Sequence, residues 1–489
     1  MTTNEDRLLL IHTNDIHSHF DALPRLAGAV DSLRRRRPPE RTLYVDIGDH
    51  MDRMRLETEG SRGRVNIELM NRMGVEAAVP GNNEGLTMTP DELAELYGRQ
   101  ASFPVLACNL HAREGETPAW LRRSVVIPKG GLRIGLIGAT AAFNDFYELL
   151  GWRAEEPLAA ISREAAALQG QADLVIVLSH LGIALDERMA DTVEGIDVIV
   201  GAHTHHLFEE PVLRGGVWMG AAGKFAQHAG WMELQLSPDR SGGRRKIERV
   251  LGGVVASSAF GSESWAEEVL ARHLAAAEAA LGRPFLRLDR NLPASDTMES
   301  PLGNLLADGL RRWTGAEIGL VNGGQLLRGL EAGDVSDSML LKLCPSPINP
   351  CRMSIRGRDL LEALEESLLP EFVKLPIRGY GFRGERLGAL CVSNMEIRYD
   401  PDAEPGSKLL SVKIGGAELR PDATYEVGTI DMFTFSVGYK SLARGTNRRY
   451  YLPEFIRDVL KTELQNGAAL QQCAVPRWIA CARPSAAKP

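Results

Sequence analysis

No Cys-x-x-Cys pair occurs among the six cysteines, Cys108, Cys344, Cys351, Cys391, Cys473 and Cys481, and their scatter favours reduced thiols over a disulfide framework. Long apolar runs are missing too. No stretch approaches the roughly 18 apolar residues of a membrane span, so no membrane partner is expected. The first seven residues are polar and acidic, and Leu8 to Ile11 is too short for a signal-peptide core, so the expected location is cytoplasmic. Positive charge is not in excess. The net charge of −8 offers no reason for a stable nucleic-acid partner, and an anionic substrate would have to be drawn in by metal and local arginines. No internal repeat is present, and nothing in the composition sets the oligomeric state. Present instead are 489 residues with 44% hydrophobic and 25% charged content. Those values are ordinary for a globular protein, and the length is too great for one core.

Short apolar runs recur and end in Asp, His or Asn. A buried-type strand over 7–15 leads into Asn14-Asp15-Ile16-His17-Ser18-His19, followed by a helical pattern through Leu23, Leu26, Val30 and Leu33. A second strand, 42–49, ends in Gly48-Asp49 and is followed by His50. A helix over 65–73 precedes a short apolar run, 76–79, and then the loop Pro80-Gly81-Asn82-Asn83-Glu84-Gly85. Further strands are expected at 104–109, 132–138, 173–180 (ending in His180) and 196–201, before Ala202-His203-Thr204-His205-His206. Strands alternating with helices indicate an α/β layered domain, in which strand-end residues converge. A polar turn interrupts the pattern near 237–245, and a strand over 247–255 closes this part. A helix over 262–281 reads as a connector. Beyond 285 come a helix at 302–314, a strand at 318–322, a helix at 357–368, strands at 396–399, 409–414 and 424–429, and a last helix over 453–465. The tail 483–489 is polar.

Asp15, His17, Asp49, Asn82, His180, His203 and His205 all lie at or just past apolar strand ends of one domain. Carboxylates, imidazoles and one amide carbonyl form a mixed hard and borderline set, which suits Mn²⁺, Zn²⁺, Fe or Co better than Ca²⁺ or Mg²⁺ alone. Seven ligands are too many for one ion; two ions sharing a bridging carboxylate account for the count. Such a pair, about 3.5–4 Å apart, clamps a phosphoryl group and activates a bridging water to attack phosphorus.

The order Asp-x-His, Gly-Asp, Gly-Asn-x-Glu, His, Gly-x-His-x-His resembles the calcineurin-like metallophosphoesterases. Beyond Ser262 the chain resembles the two-domain 5′-nucleotidase / UDP-sugar hydrolase family, through Glu299-Ser300-Pro301-Leu302-Gly303-Asn304-Leu305-Leu306-Ala307-Asp308 and Asn322-Gly323-Gly324. The resemblance implies an α/β fold. A four-layer α/β/β/α metallophosphoesterase domain would occupy 1–255, a connecting helix and linker 256–284, and an α+β substrate-binding domain 285–489. It implies that Asp15, His17, Asp49 and His205 hold one metal, with Asp49 bridging, and that Asn82, His180 and His203 complete the second. It implies a nucleotide or related phosphoester as substrate, with a C-terminal domain that binds the nucleoside and rotates about the connecting helix. Residues able to serve there are Asn322, Arg328, Asn349, Arg352, Phe382 and Phe435, since an aromatic ring stacks on a base and an Arg pairs with phosphate.

The chain departs from that pattern in its opening loop. The family reads Gly-Asn-His-Glu with an Asp two positions on, and its His stabilises the phosphoryl transition state. Here those positions are Asn83 and Leu86. General acid–base help is worth about 10²–10⁴ in rate, roughly 3–5 kcal/mol; Asn83 offers only a neutral hydrogen bond to a phosphoryl oxygen. The family Arg after Asn-x-Gly is Leu327, with Arg328 following, and Gly-Gly-Asp-Gly is replaced by Phe435-Ser436-Val437-Gly438. Three readings follow. The first is a 5′-nucleotidase-like phosphohydrolase in which Asn83, or a nearby His19, His50 or His206, substitutes for the missing group. The second is an enzyme for better leaving groups, such as nucleotide sugars, dinucleotides or 2′,3′-cyclic nucleotides. The third is a metal-loaded nucleotide-binding protein with little turnover.

Overall fold

In the computed structural model, residues 6–237 and 245–481 are described; much of the turn expected at 237–245, and the tail 483–489, lie outside them. The chain forms two compact units, Met1–Ala277 and Glu278–Pro489, dividing within the helix Ser264–Leu281.

The N-terminal unit is built on two sheets. The first runs in the order Ile247–Ala256, His228–Leu236, Arg7–Thr13, Thr42–Asp46, Ala77–Ala78, Val105–Leu106, Leu121–Arg122. It is parallel from Arg7–Thr13 outward to Leu121–Arg122 and antiparallel at the two late strands. The second has the order Val212–Arg214, Val217–Gly220, Val198–Gly201, Leu174–His180, Leu132–Thr140, Ser124–Lys129, with a parallel centre. Period-two alternation decides what each strand face buries. Leu174, Ile176 and Leu178 join Leu8, Leu10, Leu43 and Val45 in the core between the sheets. Val175 and Val177 turn the other way, under Leu158 and Ile161 of the helix Pro157–Ala167 and Met189 of Ile183–Thr192. The helix Leu23–Arg34 packs on Arg7–Thr13 and His228–Leu236 of the first sheet. The result is helix, sheet, sheet, helix: four layers.

Because the central strands are parallel, their carboxyl ends emerge on one side. Thr13, Asp46, Ala78, His180 and Gly201 are such ends, and the residues after them can meet. One local expectation changes. Residues 82–87 are not a loop: Asn82–Thr87 is a short helix, its N-terminus tied by Glu84, whose carboxylate accepts the Gly81 N–H at 2.8 Å.

The C-terminal unit is α+β. A mixed five-stranded sheet has the order Leu390–Ser393, Ile318–Asn322, Thr424–Ile430, Pro350–Arg356, Thr446–Tyr450. Against it packs the helix Pro301–Thr314, capped by the Ser300 hydroxyl, which accepts the Gly303 N–H, and ended by Gly315 in the left-handed region. A four-stranded sheet, Ala417–Glu418, Leu409–Ile414, Met395–Tyr399, Trp478–Ala480, completes the unit. The last expected helix is Ile456–Leu464, but a further helix, Gly467–Gln472, and the strand Trp478–Ala480 follow it.

Ile176 is fully buried between the two sheets. Ile176→Ala is expected to cost about 2–5 kcal/mol and to lower the melting transition in calorimetry. An unchanged transition would contradict the buried inter-sheet layer.

Candidate metal centre

All seven expected ligands come together at the carboxyl edge of the N-terminal sheets. His17 Nε2 lies 3.2 Å from His205 Nε2, 3.8 Å from Asp15 Oδ1 and 3.7 Å from Asp49 Oδ2. His205 Nε2 is 3.5 Å from Asp15 Oδ1. On the other side, His180 Nε2 is 3.5 Å from Asp49 Oδ1 and 3.2 Å from Asn82 Oδ1. The His203 ring centroid is 5.3 Å from that of His180, and its backbone N–H donates to the Asp15 carboxylate at 3.1 Å. Asp49 therefore stands between two groups, with one oxygen facing each. Asp15, His17 and His205 form one cluster of convergent ligand atoms, and Asp15, Asp49 and His180 form another.

The backbone bends sharply to achieve this. Asp15, His17, Asp49, His203 and His205 all have positive φ, between 48° and 72°. Left-handed backbone at non-glycine residues costs of order 1–3 kcal/mol each and persists only where the surroundings enforce it. Two devices enforce it here. The Glu84 carboxylate accepts the N–H groups of Asp49, Met51 and Gly81 at 3.0, 2.7 and 2.8 Å, pinning the loop after Thr42–Asp46 to the start of the short helix. Gly81 allows the approach: a Cβ there would stand 2.1 Å from Asp49 Oδ1. The Asn83 N–H then donates to Asp49 Oδ1 at 2.7 Å.

The donor set fits divalent transition metals. His180 donates from Nδ1 to the Ile47 carbonyl at 2.7 Å, which leaves Nε2 as the ligand atom. Without a cation, the charges of the cluster are poorly balanced. Burial, reinforced by Asp49, pushes the Asp15 carboxyl up to about 7 against the pull of His180. Burial would raise Asp49 as well, but the His180 charge and hydrogen bond, with His17, hold it below the usual carboxylate range. Burial pulls His180 down, yet Asp49 and Asp15 carry it up to about 10. His203 and His205 are pushed down to about 4 and about 3, by burial first and then by neighbouring histidines.

The Asn83 side-chain amide lies between His17 and Met51: its Nδ2 donates to the Met51 carbonyl at 3.1 Å and stands 2.9 Å from His17 Nδ1. Ligation through His17 Nε2 puts the ring proton on Nδ1, so the contact with His17 is not a second N–H donation from Asn83. The contact places the Asn83 amide against the His17 ring. The neighbouring histidines stand in different settings. His50 is buried against Asn66 and pushed down by burial to about 3, and His19, stacked on Phe225 at 3.9 Å, is pushed down to about 4 by burial and His17. His206 Nδ1 pairs with the Thr204 hydroxyl at 2.9 Å.

The six substrate-residue candidates of the C-terminal unit lie in different settings. Phe382 is buried in the core. Asn322 donates to the Leu387 carbonyl and accepts from Gln325, and Asn349 donates to the Glu454 carbonyl at 2.8 Å. Arg352 is paired with Glu426 at 2.7 Å. Arg328 and Phe435 remain exposed. The partner of Phe435 is Tyr380, which sequence reading missed: it is 55% exposed, its ring centroid 5.9 Å from that of Phe435 at a tilt of 32°. Tyr380 and Ser436 both have positive φ, so each ring is held out by a bent backbone. The flanking Gly379 and Gly381 were the available signal for Tyr380.

Comparisons with known proteins agree with this geometry. Residues 8–207 match the family model described as calcineurin-like phosphoesterase, and residues 276–441 match that of the 5′-nucleotidase C-terminal domain. The metallophosphoesterase YunD of Bacillus subtilis is 33% identical over 94% of this chain and 99% of its own length. The chain belongs to the calcineurin-like metallophosphoesterases. This metallophosphoesterase is a phosphoester hydrolase that carries a C-terminal domain of the 5′-nucleotidase type. Among solved structures, a 5′-nucleotidase precursor from Thermus thermophilus superposes with a TM-score of 0.60 at 22% identity, over 98% of this chain and 100% of that one. The NAD nucleotidase of Haemophilus influenzae superposes with a TM-score of 0.67 at 15% identity, over 97% of each chain. These likenesses establish the two-domain fold.

A cation entering the metallophosphoesterase site must displace protons that Asp15 and His180 hold unusually tightly, so affinity rises with pH. The same raised groups stabilise the metal-free fold below their unfolded values, and that stability is lost as pH rises through about 7 for Asp15 and about 10 for His180. The melting-temperature gain produced by a fixed Mn²⁺ concentration is therefore expected to grow from pH 5 to pH 8. A flat gain in thermal-shift measurements would count against ligation by these two residues.

Proposed function

We propose that this metallophosphoesterase hydrolyses phosphoesters of nucleotides with two divalent ions. The observation that supports it is the division of the seven ligands about Asp49, whose two oxygens face His17 on one side and His180 on the other. Asp15, His17 and His205 with Asp49 would hold one ion; Asn82, His180 and His203 with Asp49 would hold the second. Bound there, Mn²⁺, Zn²⁺, Fe or Co would neutralise phosphoryl oxygens and lower the pKa of an attacking water. The remaining work belongs to the chain. Glu84 holds the Asp49 loop against the short helix Asn82–Thr87. Asn83, in the position of the family His, orients His17 through Nδ1. In the C-terminal unit, Tyr380 and Phe435 form an exposed aromatic pair suited to a nucleobase.

A second reading, nucleotide sugars, dinucleotides or 2′,3′-cyclic nucleotides, is favoured by one observation. Asn83 has no proton to give up and Leu86 stands where the family has Asp, so protonation of a poor leaving group is not provided by this turn. Phosphate release from nucleoside monophosphates, and from UDP-glucose and 2′,3′-cyclic nucleotides with a coupled phosphatase, separates the two in protein loaded with Mn²⁺, Co²⁺ or Zn²⁺. Turnover of a monophosphate is expected for the first reading, and turnover of the coupled substrates alone for the second. Silence on both would leave only binding.

Asn83→His with Leu86→Asp is expected to raise monophosphate turnover about 10-fold or more. A fall would contradict the account of a missing catalytic group. Tyr380→Ala and Phe435→Ala are each expected to raise KM for a nucleotide about 10-fold with phosphate-ester turnover at saturation little changed. An unaltered KM in both would remove the base-binding assignment.

A further inference from the structure

The loop joining Val217–Gly220 to His228–Leu236 meets the metal centre at residues that none of the metal motifs includes. Asn14 bolts it down: its Nδ2 donates to the Gly223 carbonyl at 2.7 Å, and its Oδ1 accepts the Ala222 N–H at 2.9 Å. The Phe225 N–H donates to the Asp15 carbonyl at 2.8 Å. Phe225 and Ala226 are consecutive residues with positive φ, 62° and 57°. For two non-glycine residues in succession this is a strained arrangement, of the kind found at functional sites.

The bend aims the Phe225 ring at three histidines. It stacks on His19 at 3.9 Å, and its centroid lies 5.7 Å from His17 and 6.1 Å from His205. Lys224 Nζ lies over the same ring, 4.5 Å from the centroid. His19 occupies one face, so the ammonium takes the other. Lys224 is half-buried, and among the described residues no carboxylate pairs with it.

A cation held without a counter-charge at the rim of a site built for phosphoryl groups has an evident ligand. The turn at Asn82–Thr87 has Asn83 where the family has an imidazole to meet a phosphoryl oxygen, so it brings no positive charge there. Lysine binds phosphate as a point charge, with no need of the planar fork of arginine. We propose that Lys224, propped on the Phe225 ring, is a phosphate-binding residue of this site and takes an oxygen of the phosphoryl group. The inference rests on the proposed phosphohydrolase reading; it makes the loop, not the position of the family His, the source of positive charge from the protein.

The test is calorimetric titration of inorganic phosphate into Mn²⁺-loaded protein, with bound metal counted per chain. Lys224→Met keeps an apolar stem over Phe225 and removes the charge. It is expected to weaken phosphate binding about 10-fold or more, to leave bound metal unchanged, and to raise KM for a hydrolysed nucleotide more than it lowers kcat. Lys224→Arg is expected to recover most of the lost affinity. Phosphate affinity equal to that of the unaltered protein in Lys224→Met overturns the assignment. So does a parallel loss of metal, which would make Lys224 a support of the ligand loops. If the unaltered protein hydrolyses no nucleotide but Lys224→Met still loses phosphate, the nucleotide reading fails and the phosphate subsite stands.

Discussion

Asp49 is the residue on which the other parts of the metal centre converge. Its carboxylate faces His17 with one oxygen and His180 with the other, and it accepts the Asn83 N–H. To reach that position its backbone is left-handed, its N–H is held by Glu84, and Gly81 leaves room beside its oxygen. Concentrating carboxylates and imidazoles in a buried pocket is electrostatically unfavourable without compensating charge. The raised Asp15 and His180 and the depressed His203 and His205 are four expressions of that imbalance. Divalent ions would relieve it, so folding of the loops and binding of metal are two sides of one equilibrium.

The four-layer architecture makes such a pocket possible. Parallel strands present consecutive loops at one edge, and burial of both sheet faces fixes each strand's register, because a one-residue slip would exchange inter-sheet and helix-facing residues. The loops bend abruptly above strands buried on both faces. Strain at five of the seven ligands is thus supported by the least deformable part of the unit. The C-terminal unit follows different rules. Its polar candidates are mostly engaged in holding its own sheet and loops together, and the groups left exposed are an aromatic pair and an arginine.

The legibility of these features follows their physics. Strands such as those ending at Thr13, Asp46, His180 and Gly201 were readable because buried strands are continuous apolar runs. The short helix at Asn82 has the sequence of a loop, since its capping carboxylate and glycine carry no hydrophobic period. The strand His228–Leu236, and with it the Gly223–Ala226 loop that brings Phe225 to the site, follows no metal motif in the sequence. Phe382 and Tyr380 are two residues apart in a glycine-rich segment, and only packing decides which ring enters the core. Asn83 was seen as a departure from the family pattern, yet its partner could not be named, because His17 is distant in sequence.

From the sequence alone followed the α/β class, the family resemblance and the identity of seven candidate metal-ligating side chains, because each is written in local order: an apolar run and the residue type that ends it. Tertiary structure decided the division of those ligands about Asp49, the engagement of Asn83 with His17, the pairing of Tyr380 with Phe435 and the placing of Phe225 beside the histidines. Each of these is a contact between loops far apart in the chain. Such contacts depend on backbone bends and on which side chains close packing admits, and neither leaves a periodic trace in the sequence.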